Sequence, residues 1–262
     1  MNNLKAYVVK VGGDVLADAD ATDALWRGVA QLRDEAPVVF VHGGGTQATA
    51  LAERFGHEPR VVQGRRVTTD LDLEVAQWAL RGALSTRLVA QAGQHGMKAV
   101  GLSGADGGLL RVTKRPPRSV NGDPVDFGWV GDVERVEPGV LRTLLDGGLL
   151  PVVAPLGIDE AGQVYNVNAD TVACALAAAL GARRLLLVTT AGGVRQAAGT
   201  RLSNCDASTF EAGVEAGWIR GGMRVKLRAA LQACEDGVGE ALVLGPADLV
   251  ACEDATRVAP ER

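Results

Sequence analysis

Two lysines stand beside paired glycines. Lys10 ends an apolar run and precedes Val11-Gly12-Gly13, and Lys226 lies two or so residues into the helix expected after Gly221-Gly222-Met223. Only five of the 27 basic residues are lysine, so two of five at such turns invite a chemical reading. A turn without Cβ atoms lets several backbone N–H groups converge on one anion, and a following helix adds its positive end. A compact ammonium there could stabilise a transferring phosphoryl group, a chemistry that needs charge and positioning more than covalent help. The competing reading is a tight turn beside a surface lysine whose stem lies on apolar neighbours. Gly43–Gly45 and Gly192–Gly193 are two further turns in the same strand-end context.

Asn166-Val167-Asn168-Ala169-Asp170 is a second polar cluster. Asn166 and Asp170 are four apart and would share a helix face if the helix began by Asn166. Asn168 suits the N-cap of a helix starting at Ala169. Asp170 reads either as an acid complementing the helix dipole or as an organiser of cations near a reaction centre. Neither G-x-x-x-x-G-K-[ST] nor a first-turn G-x-G-x-x-G is present, and protein-kinase signatures are absent, so any phosphate site belongs to another fold.

Positioning these residues requires strands that end in glycine turns. Short apolar runs at Ala6–Val11, Pro37–Val41, Lys98–Leu102, Leu149–Ala154, Leu185–Val188 and Ala241–Leu244 meet that need. Helical patterns alternate with them at Ala21–Glu35, Thr46–Phe55, Leu71–Gly93, Pro138–Asp146, Ala169–Leu180 and Arg224–Glu235. That alternation predicts βαβ units and one continuous, mostly parallel sheet covered by helices. Leu110–Glu137, with Pro116-Pro117 and Asn121-Gly122, reads instead as a hairpin or excursion. Glycine is 34 of 262 residues, about twice the usual share, which fits a chain rich in strand-end turns.

The net charge of −4 lacks the basic stripe of a nucleic-acid binder. The longest apolar stretches run about a dozen residues, short of the roughly 20 a membrane span needs. No cleavable leader pattern precedes the first strand. The scattered Cys174, Cys205, Cys234 and Cys252 read as buried thiols rather than a zinc site, so the expected location is the cytoplasm.

Taken in order, K-V-G-G at 10–13, V-H-G-G-G at 41–45, G-R-R-V-T at 64–68 and G-L-S-G-A-D-G-G-L at 101–109 resemble the amino acid kinase family. W-V-G-D-V at 129–133, P-V-V-A-P-L-G at 151–157, Y-N-V-N-A-D-T-V-A at 165–173 and G-G-M-R-V-K at 221–226 continue the series over nearly the whole chain. Within that family the pattern is most similar to members that phosphorylate N-acetyl-L-glutamate. The resemblance implies a three-layer αβα sandwich with an open, mostly parallel central sheet. It implies transfer from MgATP to the γ-carboxylate of N-acetyl-L-glutamate, giving an acyl phosphate in arginine biosynthesis. Residues 1–157 would form the substrate-binding and dimerisation lobe and 158–262 the nucleotide lobe.

The resemblance also assigns roles. Lys10 and Lys226 would stabilise the transferring group, and Asp170 would hold both lysines. Gly44 and Gly45 would present N–H groups to substrate, Arg66 would pair with its α-carboxylate, and Asn166 would bind its polar groups. Gly12 and Gly13, Thr190-Ala191-Gly192-Gly193-Val194-Arg195 and Trp218-Ile219-Arg220 would contact ATP. No protein metal ligand is implied. Three departures qualify the match: Thr46 stands where the family has proline, Thr190-Ala191 stands where it has Asp-Val, and the region after Leu244 is short. The early first strand is expected of an arginine-insensitive homodimer. Two other expectations stay open: a sibling kinase taking aminoadipate or glutamate on an acidic carrier protein, with Arg60, Arg65, Arg66 and Lys114–Arg118 as its basic rim, and a non-catalytic regulator on the same fold.

Overall fold

The computed structural model describes residues 5–62, 65–120 and 122–259; Gly64 of the 64–68 motif and Asn121 of the expected Asn-Gly turn lie outside them. The chain enters β1 (Tyr7–Val11), α1 (Ala19–Glu35), β2 (Val38–His42), α2 (Gly45–Arg54) and the hairpin β3 (Val61–Val62) with β4 (Arg65–Arg66). α3 (Asp70–Ala76) runs through a π-helical stretch, Gln77–Leu84, into α4 (Ser85–Gln94). β5 (Ala99–Ser103) precedes β6 (Leu110–Lys114), β7 (Arg118–Val120), β8 (Asp123–Val125) and β9 (Gly131–Val136). α5 (Gly139–Asp146), β10 (Leu150–Ala154), β11 (Leu156–Ile158), β12 (Val164–Asn166), α6 (Ala169–Leu180) and β13 (Arg184–Val188) follow. β14 (Asn204–Cys205), α7 (Ala207–Glu215), α8 (Gly221–Glu235), β15 (Ala241–Leu244) and β16 (Thr256–Val258) complete the described chain.

Eight strands form the main sheet in the order β14-β16-β15-β13-β1-β2-β10-β5, with β15–β16 the antiparallel pair. Strand alternation divides the core into two faces. Val8, Val39, Val41, Leu185 and Leu187 pack with α5, α6 and α8, while Tyr7, Val9, Phe40, Leu186 and Val188 pack with α1 and α4. The result is the expected three-layer sandwich. Local sequence explains the helix starts: Asp18 accepts from Ala21 N–H, Thr69 and Asp72 form a capping box, and Asn168 accepts from Thr171 N–H.

The single continuous sheet is corrected. β12-β11-β6-β9 form a separate four-stranded sheet, and β7–β8 extend as a ribbon from the β6–β9 arms. Pro155 lies at the division: it has no N–H to continue the ladder after Ala154, and Leu156 enters the second sheet. α7 was not anticipated from the sequence. Of the four thiols, Cys174 and Cys205 are buried, but Cys234 and Cys252 are only half-buried because they lie at a helix end and in a surface turn.

Candidate active site

Alternation along β1 directs Lys10 to the same face as Val8, toward α6 and α8. Asp170, in the first turn of α6, meets it there. Lys10 Nζ lies 2.9 Å and Lys226 Nζ 2.6 Å from the same Asp170 oxygen, Oδ1. All three side chains are buried. Burial alone would push the Asp170 carboxyl up, but the two ammonium groups outweigh it and bring its pKa down to about 2. Burial lowers the pKa of Lys226, and Lys10 repels its charge, while Asp170 opposes both. The carboxylate thus keeps two like charges together in a poorly hydrated place.

The helix starts at Ala169 with Asn168 as its cap, as expected, so Asn166, which ends β12, does not share a helix face with Asp170. Lys226 is the sixth residue of α8, because Gly221 and Gly222 form its first turn rather than a turn before it. Gly192–Gly193 likewise leads into an irregular loop and not a helix.

A cleft of about 430 Å³ opens beside the triad. Gly44, Gly45, Arg66 and Asn166, expected at the acceptor, line it together with Lys10 and Asp170 and with Gly12 and Gly13, which were expected at the nucleotide. Gly44 has φ +151°, and a Cβ there would overlap Leu80 and lie 2.8 Å from Leu84. His42 helps set this turn. Its ring is fully buried, and Nδ1 lies 2.7 Å from the Gly43 carbonyl. Burial lowers its pKa to about 4, so the ring is neutral at pH 7 and Nδ1–H donates to that carbonyl.

Arg66 is steered by three acceptors: the Gly45 carbonyl at 3.2 Å, Thr49 Oγ1 at 2.5 Å and Asp72 Oδ1 at 3.6 Å. Asp72 is 2% exposed and also serves the Thr69 cap and His57. Asn166 Nδ2 donates to Thr68 Oγ1 at 3.3 Å, and Trp129 Nε1 donates to Asp70 at 2.6 Å. These bonds join the second sheet to the segment carrying Arg66.

The other expected nucleotide segments, Thr190–Arg195 and Trp218–Arg220, lie outside this cleft. Thr190–Arg195 follows β13, which pairs with β1. Val194 and Ile219 are each 1% exposed and pack in the core with Trp218, so they could offer a ligand only backbone. Val194 N–H is held by Thr256 Oγ1 at 2.9 Å. Thr190, Ala191, Arg195 and Arg220 are exposed.

Sequence reading missed Asp14 and Thr46 as cleft residues, and it named Arg65 and Arg115 only as parts of a basic rim. Thr46 Oγ1 donates to Asp14 Oδ1 at 2.8 Å, so the residue replacing proline bridges two turns. Arg115 is buried against Asp132, with Nε–Oδ1 and Nη2–Oδ1 distances of 2.8 and 2.5 Å, and it lines the cleft beside Arg65. Asp132 in the W-V-G-D-V motif was the available signal for Arg115. Asp72 had one local signal, its capping-box spacing from Thr69, while its contacts to His57 and Arg66 come from separate segments.

Residues 5–245 match the sequence profile of the Amino acid kinase family. The chain belongs to this family. Among curated amino acid kinases, the acetylglutamate kinase of Methanopyrus kandleri is 45% identical over 239 residues, covering 90% of this chain and 93% of its own. That of Symbiobacterium thermophilum is 42% identical over 246 residues, covering 92% and 84%. The smu.665 structure from Streptococcus mutans superimposes with a TM-score of 0.82 at 25% identity, covering 97% of this chain and 98% of its own. A Giardia carbamate kinase shares the fold at a TM-score of 0.68 and 16% identity, covering 98% of this chain and 99% of its own. Among the described residues, no helix is long and apolar enough to cross a membrane.

Proposed function

We propose that this protein is an ATP-dependent kinase that phosphorylates the γ-carboxylate of N-acetyl-L-glutamate, a step of arginine biosynthesis. The acetylglutamate kinases similar to it over most of its length support that substrate. The observation that carries the mechanism is the buried Lys10–Asp170–Lys226 arrangement, of which Lys10 and Asp170 line the glycine-lined cleft and Lys226 lies behind Asp170.

In this reading Arg66 holds the substrate α-carboxylate, where a guanidinium fork suits a carboxylate, and Asn166 meets its polar groups. A γ-carboxylate oxygen attacks the γ-phosphorus. The bond to the β–γ bridging oxygen breaks, and ADP leaves with the electron pair. The nucleophile is already ionised near pH 7, so no side chain has to take a proton. Lys10, Lys226 and the N–H groups of Gly44 and Gly45 face the charge on the transferring group. Gly12, Gly13, Thr190–Arg195 and Trp218–Arg220 serve the nucleotide.

Magnesium fits as an ion that arrives with the nucleotide. No group of three His, Cys, Asp or Glu side chains among the described residues could cage a metal, and Asp170 Oδ1 is occupied by both lysines. Asp14 is the open carboxylate at the glycine turns and is the residue that would approach it. When bound, the ion supplies charge neutralisation for the phosphates.

We also infer a cytoplasmic homodimer with residues 1–157 as its acceptor and dimer lobe. Exposed Phe55 and Trp78, with ring centroids 5.7 Å apart, give the α2–α3 side an apolar patch suited to a second copy. A hydroxamate assay tests the main proposal. Turnover is expected with free N-acetyl-L-glutamate and MgATP. Turnover only with an amino acid presented on a carrier protein would change the substrate class, and none with either would leave a non-catalytic binder.

A further inference from the structure

Arg65 and Arg66 are neighbours on β4, so their side chains leave it in opposite directions. Arg66 turns to Gly45, Thr49 and Asp72. Arg65 is half-buried on the side of Arg115, Arg118 and Arg228, which repel its charge. A second cleft, of about 510 Å³, opens there between the β7–β8 ribbon and α8. Ile219 and Arg220, given above to the nucleotide, line it, so it borders the nucleotide side. Arg65, Arg118, Arg220, Arg224 and Arg228 make it strongly basic. Lys226 leaves α8 away from it, two residues and about 200° around the helix from Arg224 and from Arg228.

Among the described residues, only Arg65 lines both this cleft and the glycine-lined cleft that holds Lys10, Gly44 and Gly45. It therefore stands where the acceptor side meets the nucleotide side. Among the described residues it has no carboxylate within 4.0 Å. Asp132, which attracts it, is held by Arg115 at 2.5 Å and by Arg118 at 3.5 Å. Arg115 also lines the glycine-lined cleft, but its Nε and Nη2 donors are already given to Asp132. Burial, then Arg115 and Arg118, lower the proton affinity of Arg65, yet a guanidinium keeps its charge at pH 7. The phosphoryl centre has a use for that charge. Two ammonium groups and one carboxylate leave the Lys10–Asp170–Lys226 triad a net of one positive charge, while the attacking carboxylate and the transferring group are both anionic.

We propose that Arg65 is a further catalytic residue, whose guanidinium donates hydrogen bonds to the non-bridging oxygens of the phosphoryl group as it passes from nucleotide to acceptor. The inference rests on the kinase reading above. The guanidinium stays protonated throughout, so it supplies charge and moves no proton. Its planar fork reaches two such oxygens at once, which the point charge of a lysine does not. The two neighbours on β4 thus divide the work: Arg66 holds the acceptor, and Arg65 holds the group in transit.

Arg65→Ala in the full chain tests this in the hydroxamate assay. The turnover number should fall at least about a hundredfold, with KM for N-acetyl-L-glutamate and for MgATP within about twofold of the unsubstituted protein. Guanidinium chloride at low millimolar concentration should then raise the variant's turnover at least about tenfold, and sodium chloride at the same concentration should not. If Arg65→Ala melts too low to assay, Arg65→Lys, which keeps the stem and charge but loses the fork, should lose turnover about tenfold with both KM values again unchanged. Unaltered turnover in these variants would overturn the proposal. So would a rise confined to KM for the acceptor, which would make Arg65 a second acceptor clamp, and a loss that guanidinium does not rescue, which would make its role structural. Turnover by the unsubstituted protein reports on the kinase reading itself: its absence would sink both, whereas failure of this inference alone shows only in the variants.

Discussion

Gly43–Gly45 and Gly221–Gly222 look alike as sequence, yet they occupy opposite packing environments. Gly44 combines φ +151° with Leu80 and Leu84 directly beneath it, and Gly13 approaches its backbone. A Cβ on Gly13 would lie 3.2 Å from Gly44 Cα, so two glycine turns cross at close range. At Gly221 and Gly222 a Cβ would meet nothing within 4 Å, and of the two only Gly221 has a positive φ, +55°. The acceptor-side turn is therefore built by packing before any ligand arrives. The turn that begins α8 has open space around it, and its lysine is placed by Asp170. The contrast is between a backbone held by neighbours and a side chain held by charge.

Removing that charge should have the largest effect. Asp170→Ala leaves two lysines buried without their anion, and the expected loss is about 3–5 kcal/mol of stability. Turnover should fall at least about a hundredfold, the scale for losing a transition-state electrostatic group. Thermal melting and single-turnover kinetics check the pair of effects. A variant with unchanged turnover would separate Asp170 from the chemistry.

Gly44→Ala comes next. Strain at its φ and overlap with Leu80 together should cost about 2–5 kcal/mol, read by urea unfolding. Acid should then weaken the acceptor side through His42. Its pKa is about 4 in the fold against 6.5 as the ordinary value, so the unfolded chain takes up the proton first. Stability is full above about pH 6.5 and falls toward pH 4, by about 3 kcal/mol for a shift of this size. Melts of His42→Asn between those limits should lack that part of the slope. Asp170 adds a further loss as pH drops below its ordinary range toward 2, because its folded pKa is depressed.

Arg66→Lys should raise KM for the amino-acid substrate about tenfold through loss of the fork, with KM for MgATP unchanged. The smallest effect is expected for Gly222→Ala, within about 1 kcal/mol, since space is open and alanine favours the helix. A cost there as large as at Gly44 would erase the contrast between the two turns.

Much of the candidate site was legible before folding because its parts are local signals. Lys10, the glycine turns, the Asn168 cap and Asp170 each sit at a strand end or helix start that periodicity locates. Arg66 and Asn166 needed the family resemblance. The pairing of Arg115 with Asp132, of Asp72 with His57 and Arg66, and of Thr46 with Asp14 was not legible, since these partners are distant in sequence and carry no fixed spacing.

The sequence by itself determined the alternation of strands and helices, the family, and which residue types could meet a phosphoryl group. It did so because hydrophobic period, caps and glycine turns act over a few residues. Only the tertiary structure decided that β11 and β12 leave the main sheet after Pro155. Only it brought Lys10, Asp170 and Lys226 onto one carboxylate oxygen and gathered five arginines on the other side of α8. Those outcomes depend on which strands pair and which helix faces meet. They are set by burial and charge summed over the whole chain rather than by neighbours in sequence.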